Sequence, residues 1–134
     1  MGKSVVRTES APAPFQGAPY SQAIAASGFV FVSGQLSLRP GDKELTGGSI
    51  GEQTEQVFAN LRAILEEAGT SLENLVKTTV FLQDLDDFAG MNEVYARHVG
   101  DRPPARSTVE VAKLPSGALV EIEAIAFTAS TGRP

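Results

Sequence analysis

Residues 76–82 read Val76-Lys77-Thr78-Thr79-Val80-Phe81-Leu82 and form the clearest strand pattern in the sequence. Apolar and β-branched residues alternate along this stretch with the period of two that a β-strand has. Helical patterns precede and follow it. The stretch therefore predicts a fold in which strands and helices alternate around a shared core.

The segment before this strand has the pattern of an amphipathic helix. Ser49 and Glu52 have the Ser-x-x-Glu spacing of a capping box, which marks a helix start, and Gly69 supplies a stop. One stripe at 3.6-residue spacing is apolar and consists of Val57, Leu61, Ile64, Leu65 and Ala68. We expect this helix to bury one face.

A second helix is predicted after the strand. Asp84, Asp86 and Asp87 bring negative charge and capping groups to its start, and Gly100 ends it. Its inward stripe consists of Phe88, Met91, Asn92, Tyr95 and either His98 or Val99. Asn92 must find a hydrogen-bond partner if it is buried, because an unpaired buried amide costs about 1–3 kcal/mol. A loop carbonyl and a ligand are the alternatives.

The outer parts of the sequence add four strand candidates, at residues 5–8, 28–34, 105–112 and 118–127. The resulting order is β-β-α-β-α-β-β, an α+β fold with two helices on one face of a mixed sheet. We expect the last two strands to form a hairpin that turns near Pro115-Ser116. Arg106 then lies opposite Glu123 and diagonal to Glu121, on one face. Such a group is either a solvated ion pair or a site.

The composition is that of a soluble globular domain, with 42% hydrophobic and 20% charged residues in 134. We expect one domain over residues 1–134, ending in a loose tail at 128–134 that lacks an apolar anchor. The absence of cysteine and the single histidine exclude disulfides, thiol nucleophiles and zinc ribbons. We therefore predict neither a metal nor another cofactor.

Charge and hydropathy exclude two classes of partner. The net charge of −5 argues against nucleic acid, whose binding needs clustered Lys and Arg. No apolar run reaches the ~20 residues of a membrane helix, and no secretory signal pattern is present. We expect a cytoplasmic protein.

Seven blocks, in this order, carry a resemblance to a known family: Pro19-Tyr20-Ser21-Gln22-Ala23, Phe31-Val32-Ser33-Gly34-Gln35, residues 76–82, Asn92-Glu93-Val94-Tyr95, Pro104-Ala105-Arg106-Ser107, Val109-Glu110-Val111-Ala112 and Glu121-Ile122-Glu123-Ala124-Ile125-Ala126. Over residues 8–127 the chain resembles the RidA family, also called YjgF. The resemblance implies a chorismate-mutase-like α+β fold and a homotrimer with clefts between neighbouring subunits. It also implies hydrolysis of 2-imino acids and their enamine tautomers, such as 2-iminobutanoate and 2-iminopropanoate, to 2-keto acids and ammonia.

The resemblance assigns roles to individual residues. Arg106 resembles the arginine that grips the substrate carboxylate, and Glu121 resembles the glutamate that orients, and is a candidate to deprotonate, the attacking water. A guanidinium fork suits a planar carboxylate by geometry and charge. The positions that match substrate-binding residues are Tyr20, Ser33, Gly34, Asn92 and Thr108. In the family, the residue matched by Asn92 enters from the adjacent subunit.

Two positions depart from the family pattern. Thr108 stands where many active relatives have cysteine, so any reactivity of a thiol is absent. In the family the main chain at this position helps to hold substrate and water, and the resemblance implies the same for Thr108. Ala18 separates Gly17 from Pro19, where relatives commonly have Gly-Pro-Tyr, which affects the expected placement of Tyr20.

Three other functions stay open from the sequence. A keto-acid-binding or chaperone-like protein would use the same carboxylate clamp without turnover. An endoribonuclease or translation inhibitor is disfavoured by the net charge of −5. A specialised deaminase of a degradative pathway, acting on an aminomuconate-like dicarboxylate, would need a second cation from Lys77, Lys113 or Arg39.

Overall fold

A computed structural model describes residues 2–128 of the chain. Its strands and longer helices, in chain order, are β1 (Ser4–Val6), β2 (Ala23–Ala26), β3 (Phe29–Gln35), α1 (Ile50–Glu67), β4 (Leu75–Leu82), α2 (Phe88–Val99), β5 (Ala105–Glu110) and β6 (Val120–Phe127). Short 3-10 turns lie at Phe15–Gly17, Leu72–Asn74, Leu85–Asp87 and Pro115–Gly117.

The strands form one mixed sheet with the order β1-β2-β3-β6-β4-β5. Neighbouring strands are antiparallel except β4 and β5, which are parallel. Both helices lie on the face to which the buried strand residues point, chiefly Val30, Val32, Val80, Ile122 and Ala124. We call this the helix face, and the other the open face. The predicted α+β class, with two helices on one side of a mixed sheet, is confirmed.

Helix α1 forms where the sequence predicts it, because its start is encoded locally. The Ser49 hydroxyl accepts a hydrogen bond from the Glu52 N–H at 3.1 Å, and the Glu52 carboxylate accepts one from the Ser49 N–H at 3.2 Å. The apolar stripe then packs on the sheet, with Val57, Leu61, Ile64 and Leu65 fully buried. This stripe and the helix face make up most of the core.

Strand β2 was not predicted. Its sequence, Ala23-Ile24-Ala25-Ala26, is short and rich in alanine, which does not favour strands. The strand forms because β3 has an edge that needs hydrogen bonds, and Ala23 and Ala25 pair with Val32 and Val30 there. Sheet pairing thus overrides the weak local preference.

The predicted hairpin of the last two strands is wrong, because β4 lies between β5 and β6. Arg106 pairs in register with Thr78, whereas Glu121 pairs with Phe81 and Glu123 with Thr79. Paired residues share a face and neighbours along a strand alternate, so Arg106 lies on the helix face and both glutamates lie on the open face. They do not form one group within the chain.

The burial of the two strands explains their order. In β6, Val120, Ile122, Ala124 and Ala126 are buried, so this apolar strand takes a central place. Every residue of β5 is at least partly exposed, as expected of an edge strand.

The predicted loose tail falls mostly outside the described residues. Of that segment only Thr128 is described, and its N–H donates to the Gly28 carbonyl at 3.0 Å. Across residues 2–128, no helix has the length and hydropathy needed to span a membrane.

Candidate active site

The Arg106 side chain lies on the helix face at the β5 edge, between two aromatic rings of α2. Its guanidinium carbon is 4.7 Å from the centroid of the Tyr95 ring and 5.4 Å from that of Phe88. Nη1 lies 4.0 Å from the sulfur of Met91. Among the described residues no carboxylate forms an ion pair with Arg106. The half-buried cation is therefore held by apolar and aromatic groups, and no ion pair neutralises its charge within residues 2–128.

The Tyr95 ring that contacts Arg106 is itself fixed by the core. Its hydroxyl and that of Thr78 are 2.6 Å apart, and its ring meets Phe58 edge-on at a centroid distance of 5.3 Å. Burial raises the pKa of the Tyr95 phenol, while the hydrogen bond with Thr78 and the charge of Arg106 oppose that rise. Tyr95 therefore presents a neutral, immobile ring to the guanidinium.

Two more predicted residues lie on the same side as Arg106. Thr108 pairs with Val80 on the helix face, and its buried hydroxyl has no hydrogen-bond partner among residues 2–128. Asn92 lies on α2 one turn from Phe88 and one turn from Tyr95. It is half-buried rather than buried, so its amide remains open to solvent or a ligand, and the structure shows no loop carbonyl bonded to it in the described part of the chain.

The open face holds the second group of predicted residues. Glu121 lines a cleft of about 530 Å³, which also contains Glu123 and the predicted residues Tyr20, Ser33 and Gly34. The remaining lining residues are Phe15, Gln16, Ala18, Leu36 and Pro115. Four of the seven predicted site residues thus meet in one cleft.

A break in the pairing of β3 with β6 shapes this cleft. The register shifts between Val32 and Gln35, so Ser33 and Gly34 lie at a bulge-like irregularity, after which Gln35 pairs with Ile122. The Ser33 hydroxyl donates to the Ser21 carbonyl at 2.6 Å. The Tyr20 hydroxyl accepts from the Phe15 N–H at 2.6 Å. Tyr20 is therefore held in the cleft although Ala18 interrupts the family's Gly-Pro-Tyr pattern.

The environment of Glu121 alters its acidity. Burial raises the pKa of the Glu121 carboxyl, and the negative charge of Glu123 raises it further. The two side chains are neighbours on one face because they are two residues apart on β6. A carboxylate with a raised pKa is a better proton acceptor near neutral pH than an ordinary one.

The structure thus divides the predicted residues into two groups. Arg106, Asn92 and Thr108 lie at the β5 edge on the helix side, and the other four lie in the open-face cleft. Sequence reasoning did not assign Phe88 and Tyr95 to the surroundings of Arg106. Their spacing of seven residues, with Asn92 between them, places all three on one helix stripe and was the available signal.

The single histidine belongs to neither group. His98 Nε2 lies 2.8 Å from Glu55 Oε1, and its ring stacks on Phe58 at 4.7 Å. His98 therefore links α2 to α1 and is a structural residue between the two helices rather than a base. Across residues 2–128 no cluster of His, Asp and Glu is arranged to hold a metal ion.

Comparison with protein families matches residues 8–128 to the family described as Endoribonuclease L-PSP. A RutC family protein of Pyrococcus abyssi is 53% identical over 95% of this chain and 98% of its own length. The chloroplastic Reactive Intermediate Deaminase A of Arabidopsis thaliana is 48% identical over 92% of this chain and 65% of its own length.

Solved structures show the same fold. Yeast Mmf1 superposes with a TM-score of 0.89 at 46% identity, covering 95% of this chain and 99% of its own. Escherichia coli TdcF with bound serine gives a TM-score of 0.85 at 37% identity, covering 94% and 99% of the two chains.

Proposed function

Since this chain belongs to the Endoribonuclease L-PSP family, which includes the RutC and RidA (YjgF) proteins, we propose that it hydrolyses reactive 2-imino acids to 2-keto acids and ammonia. One observation carries the proposal: Arg106 presents a half-buried guanidinium that has no carboxylate partner among the described residues. The relative named a reactive intermediate deaminase supplies the reaction class.

Arg106 binds the substrate carboxylate. Its N–H donors can make two parallel charge-assisted hydrogen bonds to that planar anion, which fixes both the position and the orientation of the substrate. The structural relative TdcF binds serine, an amino acid with the same α-carboxylate. A small aliphatic imino acid such as 2-iminobutanoate or 2-iminopropanoate fits this requirement.

Glu121 accepts a proton from the attacking water and later donates it to the leaving nitrogen. As water adds to C2 of the protonated imine, the carboxylate accepts a proton and the C=N bond becomes a C–N single bond. The same carboxyl returns the proton to the nitrogen, and the C–N bond breaks to release ammonia. As it breaks, the Glu121 carboxylate accepts the proton of the C2 hydroxyl, whose oxygen becomes the keto oxygen, and this proton then passes to the ammonia to give ammonium. The raised pKa of Glu121 suits these transfers. The reaction needs no metal or cofactor.

The complete site forms between subunits of a homotrimer. One subunit supplies Arg106, Asn92 and Thr108, and its neighbour supplies the cleft with Tyr20, Ser33, Gly34 and Glu121. The division of these residues between opposite sides of the sheet supports this arrangement. The open face also exposes apolar side chains at more than 40% each, namely Phe29, Phe31, Val109 and Phe127, and a patch of this kind marks an interface.

The test couples threonine dehydratase or an amino-acid oxidase to this protein and follows imine decay spectroscopically. We expect the protein to accelerate decay, and Arg106→Ala to abolish the acceleration while the trimer stays folded. Arg97→Ala is the matched control, because Arg97 is exposed and pairs with Glu55 at 2.7 Å, away from the site. Full activity of Arg106→Ala would refute the proposed role.

Other functions would give different results. A protein that binds 2-ketobutyrate without accelerating imine decay would be a keto-acid-binding protein. A dicarboxylate-specific deaminase would need a second cation, and Lys77, Lys113 and Arg39 are absent from the residues that line the Glu121 cleft. The endoribonuclease named in the family description would bind RNA at low salt, which the net charge of −5 disfavours.

A further inference from the structure

We propose that Phe88 and Tyr95 are positioning residues that clamp the Arg106 guanidinium between their rings so that its N–H donors are ready for the substrate carboxylate. This inference rests on the proposed function, in which Arg106 binds that carboxylate.

Of the two rings, that of Tyr95 is fixed by the core and that of Phe88 lies at the surface. Tyr95 is 5% exposed and anchored to Thr78, so its ring position is set by the core. Phe88 is 42% exposed at the first turn of α2, yet its ring lies 5.4 Å from the guanidinium carbon. The core therefore does not enclose the Phe88 ring, and the ring instead contacts the Arg106 cation.

Aromatic rings suit this task better than a carboxylate would. A ring attracts the cation through its π-face, whereas the N–H donors of a guanidinium lie in its plane. A carboxylate partner would occupy those donors and would compete with the substrate. The rings therefore hold the cation chiefly through their faces and limit its rotamers. The hydrogen bond from Nη1 to the Met91 sulfur, at 4.0 Å, is a weak one that a substrate carboxylate can replace.

The first experiment measures binding and turnover in Phe88→Leu. We expect the dissociation constant of 2-ketobutyrate, measured by calorimetry, and KM for the imine each to rise about fivefold, with kcat little changed. Phe88→Tyr restores the ring and should bind as the wild type does. Leu85→Ala is the matched control, because Leu85 is 45% exposed and lies three residues away on the preceding turn.

A second readout needs no substrate. The Nε–Hε resonance of Arg106, assigned by its loss in Arg106→Lys, should carry a ring-current shift in the wild type. We expect it to move in Phe88→Leu and to stay in place in Leu85→Ala. A resonance that does not move in Phe88→Leu would overturn the clamp. So would a Phe88→Leu variant that binds 2-ketobutyrate as tightly as a wild type shown to be active.

The two proposals fail in different ways. A wild-type protein that neither binds 2-ketobutyrate nor accelerates imine decay would overturn the proposed function and, with it, the purpose assigned to the clamp. An active wild type whose KM does not change in Phe88→Leu would overturn the clamp alone. Equal losses in Phe88→Leu and Phe88→Tyr would show that the site depends on packing at residue 88, and would also reject the clamp.

Discussion

Gly34 lies directly against the carboxyl group of Glu121. A β-carbon built on Gly34 would overlap Oε2 of Glu121 and stand 2.8 Å from its carboxyl carbon. The glutamate can occupy its place in the cleft because the residue at position 34 has no side chain. Gly34 therefore acts by leaving space, and its backbone conformation is not the reason for its presence.

The first prediction concerns Gly34→Ala. The added methyl group must displace the Glu121 carboxyl, so we expect imine hydrolysis to fall at least about tenfold, since small misplacements of a reacting group are costly. Stability should change little, because a side chain end can move more easily than backbone. Gly48→Ala is the control, since a β-carbon there meets nothing within 4 Å. Wild-type activity in Gly34→Ala would contradict the assignment of Glu121.

The second prediction tests the division of the site between subunits. Arg106→Ala and Glu121→Gln are each expected to be inactive. When equal amounts are unfolded together and refolded as mixed trimers, about a quarter of the sites should combine one intact Arg106 with one intact Glu121. Activity should recover to about that fraction of the wild type. No recovery from well-formed mixed trimers would mean that both residues act from one chain.

The third prediction concerns the pH dependence of the rate. Burial, and after it the charge of Glu123, raises the pKa of Glu121. Glu123→Gln removes that charge, so the pKa of Glu121 falls and more of it is ionised at a given acidic pH. We expect the acidic limb of the kcat/KM profile to move to lower pH. Glu93→Gln, on the exposed side of α2, should leave the profile in place. A shift of the limb to higher pH would exclude this electrostatic coupling.

The fourth prediction concerns Asn60, a fully buried amide on α1. Its Nδ2 donates to the carbonyls of Leu36 and Leu38 at 3.0 and 2.9 Å, which holds the segment after β3. Asn60→Ala leaves both carbonyls without this donor, so we expect the free energy of unfolding to fall by about 2–4 kcal/mol.

Denaturant unfolding measures the effect of Asn60→Ala. Gln56→Ala is its comparison, because it removes the one part-buried hydrogen bond to Asn60 Oδ1 and leaves both carbonyl bonds in place, so it should cost about 1 kcal/mol, less than Asn60→Ala. Similar losses in the two variants would show that the pair of carbonyl bonds does not stabilise this segment.

Several features of the protein could be predicted because they depend on short-range contacts. The start of α1 depends on Ser49 and Glu52, three residues apart, and its buried stripe follows from helix geometry alone. The strand predicted at 76–82 follows from the alternation of its residues, and the structure has it at Leu75–Leu82. The class of the fold, with two helices on one side of a mixed sheet, followed from these elements.

The candidate site could be predicted only in part. The resemblance selected Tyr20, Ser33, Gly34 and Glu121, and the structure places these four in one cleft. The resemblance did not indicate that Phe88 and Tyr95 surround Arg106. It matches residues along the sequence and says nothing about contacts between residues that are distant in the sequence.

The amino-acid sequence by itself determined the helices, their buried stripes and the strand between them, because caps and stripes are made by residues within a few positions of one another. Only the tertiary structure decided which strands are neighbours. The burial of apolar β6 at the centre of the sheet places β4 between it and β5, and so sends Arg106 and Glu121 to opposite faces. The length of a loop does not predict this strand order, because segments distant in the sequence compete to pair with one another, and the pairing that buries most apolar surface and satisfies most hydrogen bonds is adopted.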